Sequence, residues 1–345
     1  MKRYLLIFLL LCLPAWAAPV QKYVDFTLGT DDAGHGGAVG SDAWKTLSYA
    51  NSQIGDITAV ADGWQVNCSN GVDTTAVVID PTVTKTDAGS PLYIKGDATY
   101  TLRVTDASCI IFTGDGNGTF QVGNLTIETV SPTAHSKKGI VLTGVTTVVL
   151  SVDHCTFKGH AHASYYQSFV NLNDASSTLY AWDNLAYNIG TVANDSECGF
   201  LIASGTSVIS NCTIVGGKNG VTVSAGTTIC NNTLVTGCST FDFYDGGGTT
   251  TANHCIGEKA WITSGGFDTT TNDNLESQDY GGKFTATYRL TAGNLAIDAG
   301  TDLSAGTPVV TDDIDGTARG ATYDVGCDEY VASGMNLFRR RAIQW

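Results

Sequence analysis

Apolar and polar residues alternate with a period of two through the middle of the chain, in a short phrase that recurs. It reads Val122-Gly-Asn-Leu125-Thr-Ile127, Val152-Asp-His-Cys155-Thr-Phe157 and Trp182-Asp-Asn-Leu185-Ala-Tyr187. It returns as Ile209-Ser-Asn-Cys212-Thr-Ile214, Ile229-Cys-Asn-Asn232-Thr-Leu234 and Ala252-Asn-His-Cys255-Ile-Gly257. Period two is the signature of a strand, because successive side chains point to opposite faces. With Leu125, Cys155, Leu185, Cys212, Asn232 and Cys255 as anchors, the spacings are 30, 30, 27, 20 and 23 residues. A second apolar series lies upstream, including Gly139-Ile-Val-Leu142, Gly199-Phe-Leu-Ile202 and Phe241-Asp-Phe243, mostly followed by small-residue corners such as Ser224-Ala-Gly-Thr227.

Short strands and a glycine corner at this spacing describe one rung of a solenoid, which cannot bury its apolar face without neighbours. The pattern predicts an all-β parallel β-helix. The six anchors form its expected inward column, in which Asn232 needs amide hydrogen bonds to adjacent rungs. His154 and His254 take the corner position that Asn fills in sister rungs, which favours hydrogen-bonded turn residues.

The pattern changes at both ends. Lys2 and Arg3, the apolar run 4–13 and Ala15-Trp-Ala17 predict a secretory signal cleaved near Ala17, the run being too short to cross a bilayer. In 18–55, Trp44, Leu47, Ala50 and Ile54 recur at helical spacing after Ser41 and Asp42, either of which can cap a short helix. Rungs are expected over 56–283, a capping segment over 284–332 and a tail over 333–345. The tail's apolar stretch is too short for a membrane span.

Composition narrows the function classes. A formal net charge of −15 argues against nucleic acid and against anionic membrane surfaces. Nine of the ten cysteines follow the leader, an odd number that leaves at least one thiol unpaired, and no C-x-x-C pair suggests a zinc–thiolate site. Cys155, Cys212 and Cys255 fall in the inward column, where a thiol packs as a small hydrophobe.

Two segments carry a resemblance. Tyr23-Val-Asp25, Gly29-Thr-Asp31 and the helix after them resemble the N-terminal cap of secreted parallel β-helix proteins of the pectate-lyase-like superfamily. Leu295-Ala-Ile-Asp298-Ala-Gly300, Asp313-Ile-Asp315-Gly-Thr-Ala-Arg319 and Asp324-Val-Gly-Cys327-Asp-Glu-Tyr330 resemble the C-terminal segment of the choice-of-anchor type found in many such proteins. Asn294-Leu295 stands where that pattern has Ser-Pro, and Cys327 where it has Ala. The resemblance implies a right-handed parallel β-helix solenoid with both caps, and leaves the activity open.

Lyase chemistry on uronic-acid glycans needs a base for the C5 proton and a group that neutralises the neighbouring carboxylate. The resemblance implies Lys, Arg, His or Tyr for the first task and Ca²⁺ or Arg/Asn for the second. The candidate catalytic residues are Lys158, His160 and His162, with Tyr165 and Tyr166 as substrate-binding residues in the same inserted loop. Asp242 and Tyr244 are expected to point outward and contact a glycan. Asp312-Asp-Ile-Asp315-Gly reads as half of a calcium loop, so Asp313 and Asp315 are candidate ligands for Ca²⁺. It lacks the distal bidentate Glu, and bonding of Asp313, Asp315 and Arg319 to one another and to backbone is the simpler reading.

Basic outward residues on neighbouring rungs are scarce, and no lytic motif matches. The expected function is therefore noncatalytic binding of a polysaccharide or another surface by a secreted or particle-surface protein. The alternative is a polysaccharide lyase on uronic-acid-containing glycans, and a hydrolase is disfavoured. Monomer and trimer both remain open.

Overall fold

The computed structural model describes residues 18–331 other than 61, 106, 131–136, 160–166, 190–196, 260–266, 268–273, 276–277 and 279–282. These residues form a right-handed parallel β-helix with three sheets. The first sheet has nine strands, from Val20–Asp25 to Thr249–Asn253. The second has eight, from Gly71–Asp73 to Ile256–Gly257, and the third has seven, from Val77–Ile79 to Phe241–Asp245. Inward side chains meet in one continuous core, in which Phe112, Phe120, Phe157, Phe169, Phe200 and Phe243 are fully buried. Each such ring contributes about 1.5–3 kcal/mol relative to exposure. Phe157 and Phe169 stack at 5.4 Å between centroids.

A single left-handed residue joins the first sheet to the second in each of six successive rungs. Asn124, His154, Asp183, Asn211, Asn232 and His254 have φ of 54°, 49°, 52°, 48°, 46° and 51°. Asn, Asp and His are the non-glycine residues that tolerate this conformation best. The recurring phrase is thus a strand end, one left-handed corner and the start of the next strand.

This corner corrects the inward column. Thr156 pairs with Leu185, Leu185 with Thr213, and Thr213 with Leu234. The column is therefore Leu125, Cys155, Asn184, Cys212, Thr233 and Cys255, with Leu185 and Asn232 each displaced by one residue. A slip of one moves a side chain to the opposite face. The amide in the stack belongs to Asn184, whose Oδ1 accepts from the Cys155 N–H at 2.9 Å and whose Nδ2 donates to the Val152 carbonyl at 2.8 Å. Asn274 treats Cys255 and Ala252 in the same way, at 2.8 and 2.7 Å. All nine cysteines from Cys68 to Cys327 are buried, and burial pushes the Cys155, Cys212 and Cys255 thiols up.

The amino-terminal helix is shorter than its apolar spacing implies. It runs Leu47–Ser52 and is capped by Thr46, whose hydroxyl accepts from the Tyr49 N–H, instead of by Ser41 or Asp42. Asp31 sets this start by accepting from the N–H groups of Lys45 and Thr46 and from the Thr46 hydroxyl. Trp44, Leu47, Ala50 and Ile54 are all buried, as their spacing predicts.

The carboxyl segment lies along the flank of the solenoid. Leu290, Ala296 and Val325 pack on Leu234 and Ile256, while Ile314 and Cys327 pack on Leu185. These partners sit on the outer face of the second sheet, which explains an apolar residue at 185 that is not in the central column. Asn232 pins the segment through two hydrogen bonds to the Thr301 backbone, at 2.7 and 2.9 Å.

Candidate functional site

Where the carboxyl segment crosses the left-handed corner, it brings charged groups together from three parts of the chain. Arg319 enters the interface with its side chain fully buried and donates to Asp183 Oδ1 at 2.7 Å. Its remaining donors reach the carbonyls of Asp312, Asp324 and Gly326 and, at 3.3 Å, Glu329. Burial pushes the Asp183 carboxyl up to about 7, against the opposing pull of Arg319. Asp183 Oδ2 is buried and has no hydrogen-bond partner.

His154 occupies the corner one rung earlier. Its Nδ1 lies 3.2 Å from Asp153 Oδ2, and Gln121 donates to the other oxygen of that carboxylate at 2.8 Å. Room for Asp153 comes from Gly123, the residue paired with it on the preceding strand, where a Cβ would lie 3.0 Å from both carboxylate oxygens. Nε2 of His154 faces Asp312 Oδ1 at 3.5 Å. Burial works to lower the imidazole pKa, but the bonds to Asp153 and Asp312 outweigh it and raise it to about 10. Ligand atoms of His154, Asp183 and Asp312 all lie within 4.8 Å of one another. Beside them opens a cleft of about 610 Å³, lined among others by Lys95, Asp97, Asp153, His154, Arg289 and Asp312.

The residues singled out from sequence do not converge here. His160, His162, Tyr165 and Tyr166 lie outside the described residues. Lys158 sits on the outer face of the second sheet, in a row with Arg103, Glu128 and Tyr187 on adjacent strands. Glu128 takes Lys158 at 3.1 Å and Arg103 at 2.6 Å. Burial pushes the Glu128 carboxyl up, yet these two partners outweigh it and hold it below its ordinary range.

Asp242 is buried, which corrects the surface position expected for it. Its Oδ2 accepts from the Lys259 N–H, and burial pushes its carboxyl up to about 7. Tyr244 is half-buried and stacks on Phe241 at 5.6 Å. Asp313 accepts from the backbone N–H groups of Asp315, Thr317 and Glu329, whereas Asp315 pairs with Arg289 through two bonds of 2.8 and 2.9 Å. Those two carboxylates are taken up inside the segment.

Sequence reasoning missed the grouping of His154, Asp183 and Asp312. The available signal was the corner itself, where His and Asp stand in place of Asn on consecutive rungs. Comparison with known protein-family models and with curated proteins found no match. Among the described residues, no helix is long and apolar enough to cross a membrane.

Proposed function

We propose that this chain is a secreted, noncatalytic carbohydrate-binding protein of the pectate-lyase-like parallel β-helix type, binding a glycan along the outer face of its first sheet. The observation that carries this reading is a pair of adjacent side-chain rows running along the solenoid. One row is Gln65, Tyr93, Gln121, Ser151 and Tyr180; the other is Asn67, Lys95, Gly123, Asp153 and Trp182. Amides, hydroxyls and aromatic rings recur there at the strand spacing of about 4.8 Å. That mixture suits a polymer of sugar rings, which offers apolar ring faces and many hydroxyls. The rows are braced internally, since Gln65 donates to Asn67 at 2.6 Å and Gln121 donates to Asp153. Bracing reduces the side-chain entropy lost on binding.

A neutral glycan fits better than an acidic one. The net charge is −15, and Lys158 and Arg103 on the neighbouring face already share Glu128. The test is affinity electrophoresis through a panel of neutral and uronic-acid polysaccharides, with Tyr180→Ala and Trp182→Ala beside the parent chain. Retardation by a neutral polymer, lost in both variants, is expected. Retention unchanged in both would remove the face from the reading, and unsaturated, ultraviolet-absorbing products from an acidic polymer would overturn the noncatalytic part.

A further inference from the structure

We propose that His154, Asp183 and Asp312 form a binding site for a first-row divalent cation such as Zn²⁺, which clamps the carboxyl segment to the solenoid. Three independent features support it. Their ligand atoms lie within 4.8 Å of one another, close enough for one ion to reach all three. Asp183 is fully buried and its Oδ2 has no hydrogen-bond partner, while the buried His154 Nε2 meets only Asp312 Oδ1, at 3.5 Å. A buried carboxylate oxygen left without a partner is costly, so the unmet Asp183 Oδ2 beside this imidazole calls for an occupant.

The third feature is the setting of the imidazole. Asp153 holds Nδ1 at 3.2 Å, which fixes the ring and turns Nε2 toward the site. A carboxylate behind a histidine in this way is how metal-bound imidazoles are usually oriented. Gln121 in turn holds Asp153, so the arrangement extends one further residue into the first sheet.

Charge balance points the same way. Asp183 and Glu329 share the guanidinium of Arg319, while Asp153 and Asp312 face only His154, so with a neutral imidazole four carboxylates meet one cation. A divalent ion offsets the surplus. A proton on Nε2 would have Asp312 Oδ1 at 3.5 Å and would leave Asp183 Oδ2 unmet. One imidazole with two carboxylates suits a borderline cation better than Ca²⁺, which takes six to eight oxygens. The adjoining cleft of about 610 Å³ leaves space for water to complete the coordination.

The experiment uses the full chain, stripped with EDTA, dialysed and titrated calorimetrically with Zn²⁺, Co²⁺ and Ca²⁺. Expected are one Zn²⁺ per chain, a rise in the thermal unfolding midpoint, and a Co²⁺ spectrum without a thiolate charge-transfer band. His154→Asn is a benign probe, since Asn holds this corner at Asn124, Asn211 and Asn232; Asp312→Asn alters a half-exposed side chain. Each should weaken Zn²⁺ by at least tenfold and remove the midpoint rise. Asp153→Asn should weaken it by about 10–100-fold through loss of ring orientation. Failure of the parent chain to bind Zn²⁺ or Co²⁺ would overturn the proposal. So would Ca²⁺ binding more tightly than Zn²⁺, or affinity and midpoint rise unchanged in both His154→Asn and Asp312→Asn.

Discussion

Arg319 and Asp183 are 136 positions apart in the chain, and their side chains meet at 2.7 Å with neither exposed. The contact spans the joint between the carboxyl segment and the rungs. A buried pair of this kind is costly to break from one side, because the survivor keeps its charge without a partner. Apolar packing of Ile314 and Cys327 on Leu185 surrounds the same joint and keeps water out.

Arg319→Met is therefore expected to destabilise the protein by about 3–5 kcal/mol. In Asp183→Asn, the corner keeps a residue type that other rungs use, but Arg319 is left underpaired. The double variant Asp183→Asn/Arg319→Met should cost clearly less than the two single costs added together. Urea unfolding of the three variants checks this, and strict additivity would mean that the pair is not coupled.

Asp242 gives a pH dependence with a defined sign. Burial raises its folded-state carboxyl from the ordinary 3.8 to about 7. Between these values the unfolded chain has released a proton that the folded chain still holds, so stability falls as pH rises through this window. Above about pH 7 the cost is complete; below about pH 4 it vanishes. Asp242→Asn retains an acceptor for the Lys259 N–H and removes the ionisation. It should be more stable than the parent at pH 8, by on the order of 2–4 kcal/mol, with the gap closing toward pH 4. Chemical unfolding of both proteins across pH 4–8 measures the difference, and a gap that does not change with pH would show that the Asp242 charge is not its source.

The rung architecture was legible because period two and the repeat spacing are properties of the chain alone. The register was less so. Leu185 is apolar because the carboxyl segment covers it, and Asn232 looks like a column residue because Asn also suits a left-handed corner. Reading hydrophobicity without knowing what covers the outer face shifts both phrases by one residue. Asp242 was misplaced for a similar reason: nothing near it in sequence shows that the Lys259 backbone closes over it. The His154 cluster depends on Asp312, which only the docking of the carboxyl segment brings to that corner. Local pattern identified His154 as a corner residue and went no further.

The corrected register has its own test in Asn184, whose side chain accepts the Cys155 N–H and donates to the Val152 carbonyl inside the core. Asn184→Ala leaves both backbone groups buried and unpaired, at about 1–3 kcal/mol for each orphan. A loss of about 2–4 kcal/mol is expected by urea unfolding. Asn232→Gly is the matched comparison, because glycine adopts the left-handed corner freely and the amide lost there bonds the Thr301 backbone, outside the column. It should cost about 1 kcal/mol and loosen the carboxyl segment, seen as faster proteolysis beyond Thr301. If Asn184→Ala unfolds at the parent concentration of urea while Asn232→Gly collapses the core, the amide of the column belongs to Asn232, and Leu185 returns to the interior.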